Sequence, residues 1–322
     1  MNGERNNPLG GVGDYLRLMR VSNLFTAVAD VAMGYFLVRS QLAPAGGFVL
    51  VIAASCLLYT AGMVLNDVFD VGADRRERPE RPIPSGRIAW STARRLGWGL
   101  WLGGLVCGWL AGYFPPALPM AWRSGVVASA LASCIVLYNG VLKTTSLGPL
   151  TMGACRFFNV LLGVSLGLPF AGPNLLGFGP HHANAALGIG LYISGVTCLA
   201  RREATTSRRW ELAASVGLMV LGIAVLGRLH QTIMIWEAVP LTLLEPFWWL
   251  LLGMLTVTIV RRCLVAIARP EPLQVQLAVR HALWSLIMLD AAVVLLVRGV
   301  YSLGIVALLI PTMILGRWVA ST

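Results

Sequence analysis

Residues 47–87 read GFVLVIAASCLLYTAGMVLNDVFDVGADRRERPERPIPSGR, which joins a long apolar run to a dense cluster of charge. The first twenty of these residues carry no Asp, Glu, Lys or Arg, and about 20 apolar residues are what a helix needs to cross a bilayer. Five of the 14 acidic residues of the chain then fall between positions 67 and 80. The stretch therefore predicts a membrane helix whose end opens onto a charged site.

The rest of the chain repeats the apolar half of this pattern. The composition is 57% hydrophobic and only 12% charged, whereas an ordinary soluble domain is about a quarter charged. Runs of membrane-spanning length occur at 21–38, 47–66, 96–113, 125–142, 149–169, 184–201, 210–228, 243–262, 277–298 and 301–319. We predict an all-α, polytopic transmembrane bundle of nine to ten helices, forming one domain over 15–322 after a disordered cytoplasmic tail at 1–14.

The basic residues indicate an orientation for this bundle. Ten crossings place twenty of the 25 basic residues on one side and four on the other, with Arg156 inside a run. This asymmetry makes the richer side cytoplasmic, so both termini and the charged segment at 67–87 are expected there. Because the positive-inside bias accounts for the net charge of +11, no nucleic-acid partner is expected.

The acidic cluster has a helical spacing. At 100° per residue, Asp70 and Asp74 lie about 60° and 20° from Asp67, so the three share one face of a helix that Pro79 ends. Carboxylates so close together repel one another, and hard oxygen ligands beside phosphate-binding arginines suit Mg²⁺ with a diphosphate. A solvated loop in which Asp and Arg merely pair with each other is the alternative.

The same stretch, from Asn66 to Arg87, resembles the first aspartate-rich motif of the UbiA superfamily of intramembrane prenyltransferases, Asn-Asp-x-x-Asp-x-x-x-Asp followed by Arg-Pro-x-Arg-Pro-Ile-Pro-Ser-Gly. The resemblance covers about 15–298 and nine helices, and leaves 301–319 as an additional helix. It implies a catalytic, Mg²⁺-binding set, which is Asn66, Asp67, Asp70 and Asp74. It also implies a diphosphate-binding set, which is Asn66, Arg78, Arg81, Tyr138 and Lys143. The setting it implies is a bacterial inner (plasma) membrane.

Three charges lie deep inside apolar runs, namely Asp30, Arg156 and Asp290. Arg156 belongs to GACRFFNVLLG, which resembles the fifth helix of the family. Intramembrane charges usually face the interior of a bundle and have a partner. We therefore expect a polar cavity lining formed by Asn23, Asp30, Arg156 and Asn159. An Arg–Asp pair that only holds helices together is equally compatible with the sequence.

The chain departs from the family in its second motif, Asp-x-x-x-Asp after the sixth helix. The corresponding stretch, YISGVTCLARREATTSRRW, contains Glu203 as its only carboxylate. When this stretch is aligned with the residues 133 positions earlier, Tyr192 matches Tyr59 and Glu203 matches Asp70. A degraded internal repeat or a chance similarity would account for these matches. We expect Glu203 to be a residual metal ligand. Arg201 or Arg202 would bind the diphosphate in place of the missing second metal ion.

Two functions follow from these patterns. The first is Mg²⁺-dependent transfer of a prenyl group from a prenyl diphosphate to an unknown acceptor within the membrane. The second is a non-catalytic carrier of an isoprenoid-like metabolite, because the second motif is altered and ARREA resembles the EboC branch of the superfamily, where transport is the suggested role. A CDP-alcohol phosphotransferase is disfavoured, since its Asp-Gly-x-x-Ala-Arg pattern is absent from the sequence.

Overall fold

The computed structural model describes residues 10–42, 45–114, 118–171, 176–201, 208–237 and 245–318. All regular structure in these ranges is helical. The helices are α1 (Gly10–Leu18), α2 (Val21–Val38), α3 (Ala45–Phe69), α4 (Val71–Glu77), α5 (Trp90–Ala111), α6 (Arg123–Leu137) with a π-helical turn at Tyr138–Leu142, α7 (Gly148–Val164), α8 (Pro180–Ala200), α9 (Arg209–Gly227), α10 (Leu229–Glu237), α11 (Glu245–Ala268), α12 (Pro272–Arg298), α13 (Tyr301–Ala307) and α14 (Leu309–Trp318).

Each of the ten predicted apolar runs coincides over most of its described residues with one helix or two consecutive helical elements, which confirms the predicted fold class. Within the described ranges, seven helical segments are long and apolar enough to cross a membrane. Two of these combine neighbouring elements, since the π-helical turn extends α6 to Leu142 and α10 extends α9 to Ile235. The last run, 301–319, forms α13 and α14, which pack against α2 and α12.

The start of the chain differs from the prediction. Residues 10–14 were expected in a disordered tail, but they form the first half of α1. Asp14 on this helix is buried and accepts a hydrogen bond from Arg87 Nε at 3.0 Å. Leu18 is fully buried in a small core with Val64 and Ile83. This apolar contact and the ion pair fold α1 over the segment that follows the acidic cluster.

Glycines let α2 and α7 approach each other at backbone distance. A methyl group added at Gly34 would collide with the Val160 carbonyl oxygen, and one added at Gly163 would collide with the Val31 carbonyl oxygen. Small residues at such crossings are typical of membrane helix pairs, because they allow the backbones to touch. The crossing brings the polar residues of α2 and α7 opposite each other inside the bundle.

Candidate active site

The acidic cluster lies where α3 ends. Asn66 and Asp67 occupy the last turn of α3, Asp70 lies in the short break before α4, and Asp74 lies within α4. The backbone N–H of Asp74 still bonds the carbonyl of Asp70 at 2.9 Å, so α4 continues α3 after a slight interruption. Helix α4 ends at Glu77, two residues before Pro79, as the sequence predicts.

Arg81 joins two of the aspartates. Its Nη1 lies 2.9 Å from Asp74 Oδ2 and 3.5 Å from Asp67 Oδ1, and all three side chains are buried. One guanidinium therefore occupies the point toward which two carboxylates of the motif converge. In the sequence Arg81 was assigned to the diphosphate, whereas in the structure it neutralises the acidic motif itself.

Arg20 is a second counter-charge that sequence reasoning missed. Its Nη2 lies 3.3 Å from Asp67 Oδ1, across 47 positions of sequence. Arg20 separates α1 from α2 and is the only non-glycine residue with a positive φ (46°) in the described part of the chain. This left-handed conformation costs a residue with a Cβ about 1–2 kcal/mol, and such strain often marks functional positions. Its place directly before an apolar run suggested only a contribution to membrane orientation.

Lys143 serves the other side of the motif. Its ammonium donates to Asn66 Oδ1 at 2.8 Å and forms an ion pair with Asp70. The π-helical turn ends at Leu142 and so delivers Lys143 to the end of α3. Arg201 donates to the main-chain carbonyls of Lys143 and Thr145, which holds this segment in place. π-helical turns are rare and are frequently found at functional sites.

The three aspartates contact different cations. Asp67 and Asp74 share Arg81, whereas Asp70 turns to Lys143. The break at Asp70 is slight, since its backbone N–H still bonds the Asn66 carbonyl at 3.0 Å, so the different partners follow from where Arg81 and Lys143 lie. The alternative of a solvated loop also predicted Asp–Arg pairs, but Asp67, Asp74 and Arg81 are buried here.

An apolar cavity opens directly below the motif. It has a volume of about 60 Å³ and lies between α2, α3, α6 and α7. The α3 wall runs from Ser55 to Met63, one turn before Asn66. Most of the lining is apolar or aromatic, namely Leu58, Tyr59, Met63, Leu131, Ile135, Tyr138 and Met152. The cavity thus lies inside the bundle about one helical turn from the charged cluster, and we call this end of the cavity its mouth.

The deep end of the cavity is polar. Arg156 and Asn159 line it together with Ser55, whose hydroxyl donates to Asn159 Oδ1 at 2.7 Å. Asp30 lies behind this wall, where it accepts hydrogen bonds from Arg156 Nη1 at 2.8 Å and Asn159 Nδ2 at 3.3 Å. The pair of Asp30 with Arg156 also joins α2 to α7. Ser55 lies eleven residues before Asn66, so this network is about 16 Å below the acidic motif.

The other predicted site residues make no side-chain hydrogen bond or ion pair with the acidic motif in the described structure. Tyr138 lines the cavity near its mouth, and Arg78 is partly buried at the end of α4. Asn23 is not part of the cavity wall, and only its main chain forms hydrogen bonds in the described structure. Arg202 and Glu203 lie outside the described residues, so the altered second motif stays a prediction.

The donor set at the mouth has the chemistry that Mg²⁺ prefers. Among the described residues, no three His, Cys, Asp or Glu side chains converge on one point. Mg²⁺, however, keeps several waters and is usually held by one or two carboxylates plus substrate phosphates. Asp67, Asp70 and Asp74 would hold it with the Asn66 amide oxygen once their present cationic partners turn to a phosphate group.

Comparison with known proteins identifies the family of this chain. The model of the UbiA prenyltransferase family matches residues 27–270, which is more than half of the chain. The chain belongs to the UbiA prenyltransferase family. Members of this family are integral membrane proteins, consistent with the apolar helices described above.

Individual relatives cover only part of this similarity. A digeranylgeranylglyceryl phosphate synthase of Sulfolobus acidocaldarius is 37% identical over 102 residues, or 31% of this chain and 36% of that protein. The chain spans about a third to just over half of the length of the curated relatives it matches. These matches identify sequence relatives over part of the chain only.

Solved structures extend the similarity to the whole bundle. A UbiA homologue of Aeropyrum pernix K1 superposes with a TM-score of 0.60 at 15% identity, covering 86% of this chain and 98% of that one. A UbiA homologue of Archaeoglobus fulgidus, bound to GPP and Mg²⁺, gives 0.57 at 11% identity, covering 85% and 99%. At these identities the likeness establishes the fold.

Proposed function

We propose that this protein transfers a prenyl group from a prenyl diphosphate to an acceptor within the membrane, in a reaction that depends on Mg²⁺. The observation that carries the proposal is the neutral cluster of three carboxylates and three cations at the mouth of an apolar membrane cavity. Asp67 contacts Arg20 and Arg81, Asp74 contacts Arg81, and Asp70 contacts Lys143. The charged cluster suits the diphosphate of such a substrate, and the apolar cavity wall suits its prenyl chain.

The cluster can exchange its internal partners for those of a metal diphosphate. Arginine forks and a lysine ammonium are strong donors to phosphate oxygens, and carboxylates are strong ligands of Mg²⁺. A diphosphate would therefore draw Arg20, Arg81 and Lys143 away from their carboxylates, which become free for the metal. Because the cluster starts neutral, it can admit the metal and the diphosphate together without burying a large net charge.

The chemical step is heterolysis of the allylic C–O bond. The diphosphate leaves with the bonding electron pair, the acceptor supplies an electron pair to the allylic carbon, and the acceptor then loses a proton. Mg²⁺, when bound, stabilises the charge that develops on the diphosphate oxygens. Arg20, Arg81 and Lys143 add preorganised positive charge at the same place, which lowers the barrier to ionisation.

The cavity below the mouth serves the prenyl chain. Leu58, Met63, Leu131 and Ile135 give it an apolar wall, which keeps water away from the allylic cation. The ring of Tyr59 also lines it, and aromatic faces attract cations. In the described structure this ring is stacked by Arg156, whose Cζ lies 5.7 Å from the ring centroid.

Diphosphate release tests the proposal. We would reconstitute the protein in lipid nanodiscs with Mg²⁺ and labelled geranylgeranyl diphosphate, and compare wild type with Asp67→Asn/Asp70→Asn. The matched control is Glu77→Gln/Glu80→Gln, which removes two exposed carboxylates from the same segment. We expect Mg²⁺-dependent release from wild type and control, and at least about a hundredfold slower release from the aspartate variant.

Other outcomes would change the assignment. Equal release by the aspartate variant would refute the site. Mg²⁺-dependent binding without release, even with an acceptor present, would favour the carrier function over the enzyme. The names of the curated relatives make geranylgeranylglyceryl phosphate the first acceptor to supply. Failure of that one acceptor while diphosphate is still released in water would leave the ionisation site intact and call for other acceptors.

A further inference from the structure

The first two turns of α5 carry an open, basic depression at the same end of the bundle as the acidic motif. Its lining consists of Trp90, Ser91, Arg94, Arg95 and Trp98, which we call the α5 cradle. The indole Nε1–H of Trp90 donates to the Val68 carbonyl at 3.2 Å, next to Asp67. The cradle is therefore attached to the end of α3 but faces away from the cavity, and the proposed function does not use it.

The cradle holds two uncompensated positive charges. Neither Arg94 nor Arg95 forms an ion pair with a carboxylate in the described part of the chain, although Arg20, Arg81 and Lys143 nearby all do. The guanidinium of Arg94 stacks on the Trp90 ring, with Cζ 5.3 Å from the centroid. Arg95 has only a 3.4 Å bond from Nε to the Ser91 carbonyl. Both remain available to an anion.

The cradle continues into an apolar stripe along the same helix. At 100° per residue, its five residues fall within an arc of about 140°, and the exposed side chains of Leu102, Val106 and Trp109 extend that arc down α5. Trp90 and Trp98 are themselves 41% and 38% exposed. Exposed tryptophans at a helix end are typical of the membrane–water interface. A basic pocket above an apolar stripe matches a molecule with an anionic head and a hydrocarbon tail.

We propose that the α5 cradle binds the headgroup of an anionic phospholipid. The phosphate lies between Arg94 and Arg95, and an acyl chain follows Leu102 and Val106. Trp98 supplies an indole N–H that has no hydrogen-bond partner among the described residues and can donate to an ester or phosphate oxygen. A soluble phosphate would use the arginines but not the stripe, so the apolar continuation favours a lipid.

Lipid titration of the full-length protein tests this proposal. Native mass spectrometry in detergent would measure the affinities for phosphatidylglycerol and phosphatidylcholine of wild type and of Arg94→Gln/Arg95→Gln. The matched control is Arg208→Gln/Arg209→Gln, a tandem arginine pair at the start of α9 in which Arg209 already bonds the Ala268 carbonyl. We expect wild type and control to prefer phosphatidylglycerol. The affinity of the cradle variant for phosphatidylglycerol should be about fivefold to 30-fold lower than that of wild type, because that is the effect of one to two surface arginines.

A second variant separates the charge from the shape of the site. Trp98→Ala keeps both arginines and should still weaken phosphatidylglycerol binding measurably if the lipid is seated in the cradle. Thermal unfolding in phosphatidylcholine should match wild type for every variant, which confirms that they fold. An unchanged preference in the Arg94/Arg95 variant would overturn the proposal. So would an equal loss in the Arg208/Arg209 control, or displacement of the lipid by soluble glycerol phosphate.

Discussion

Replacing Arg81 with glutamine removes the cation that two buried aspartates share. Asp67 retains Arg20 at 3.3 Å and Asn66 at 3.2 Å, but Asp74 loses the only charged partner found for it among the described residues. Removing one partner of a buried ion pair costs about 3–5 kcal/mol. Because Asp67 keeps its other contacts, we expect the lower end, about 3 kcal/mol, in the free energy of unfolding of the ligand-free protein.

The assay is thermal unfolding in lipid nanodiscs, with and without Mg²⁺. A loss of about 3 kcal/mol corresponds to a fall of roughly 6 °C or more in Tm. Mg²⁺ should restore part of this loss, because binding of a ligand only to the folded state stabilises it by about 2.7 kcal/mol at one hundred times its Kd. Arg76→Gln is the matched control, since Arg76 is exposed on α4 and makes no ion pair in the described structure.

Two results would refute this reasoning. If Arg81→Gln melts within about 1 °C of wild type without Mg²⁺, then Asp67 and Asp74 do not depend on Arg81. If Mg²⁺ raises the Tm of Arg76→Gln as much as that of Arg81→Gln, the metal is not taking over the role of the lost guanidinium. In either case the exchange of partners that the proposed function requires would lose its support.

Other parts of the site give further expectations. Arg20→Ala and Arg20→Gly should weaken diphosphate binding equally by losing the cation at Asp67, but the glycine variant should be about 1–2 kcal/mol more stable in unfolding because it relieves the left-handed conformation. Asp30→Ala should destabilise the bundle by about 3 kcal/mol in thermal unfolding, because Arg156 then loses its ion-pair partner inside the membrane. Gly163→Leu should separate α2 from α7 and lower both expression and Tm, whereas Gly163→Ala should do so less.

The family match includes the parts of the protein that these experiments test. It covers residues 27–270, so the cradle, the acidic motif and the deep network all lie within the shared domain. Helices α13 and α14 lie beyond it and pack on α2, which carries Asp30. The likeness to the EboC branch stays a prediction. The cytoplasmic orientation of the mouth is also a prediction, which accessibility labelling of Cys substitutions at Arg76 and at Leu168 would test.

Hydrophobic length and local spacing determined much of this protein from the sequence. The positions of the membrane helices, the end of α4 before Pro79 and the acidic motif after the second run all follow from properties of neighbouring residues. Helix formation in a bilayer depends on the apolarity of about twenty consecutive residues, because no backbone group can remain unpaired there. These properties do not depend on which helices pack against one another.

The tertiary structure decided which charges meet. Asp30 pairs with Arg156 across 126 positions, Asp67 with Arg20 across 47, and Asp70 with Lys143 across 73. The three cations come from separate parts of the chain, and the periodicity of the motif gave no indication of which aspartate each would contact. Ion pairing depends on distances of a few ångströms between groups far apart in the chain, and only the packing of the helices sets those distances.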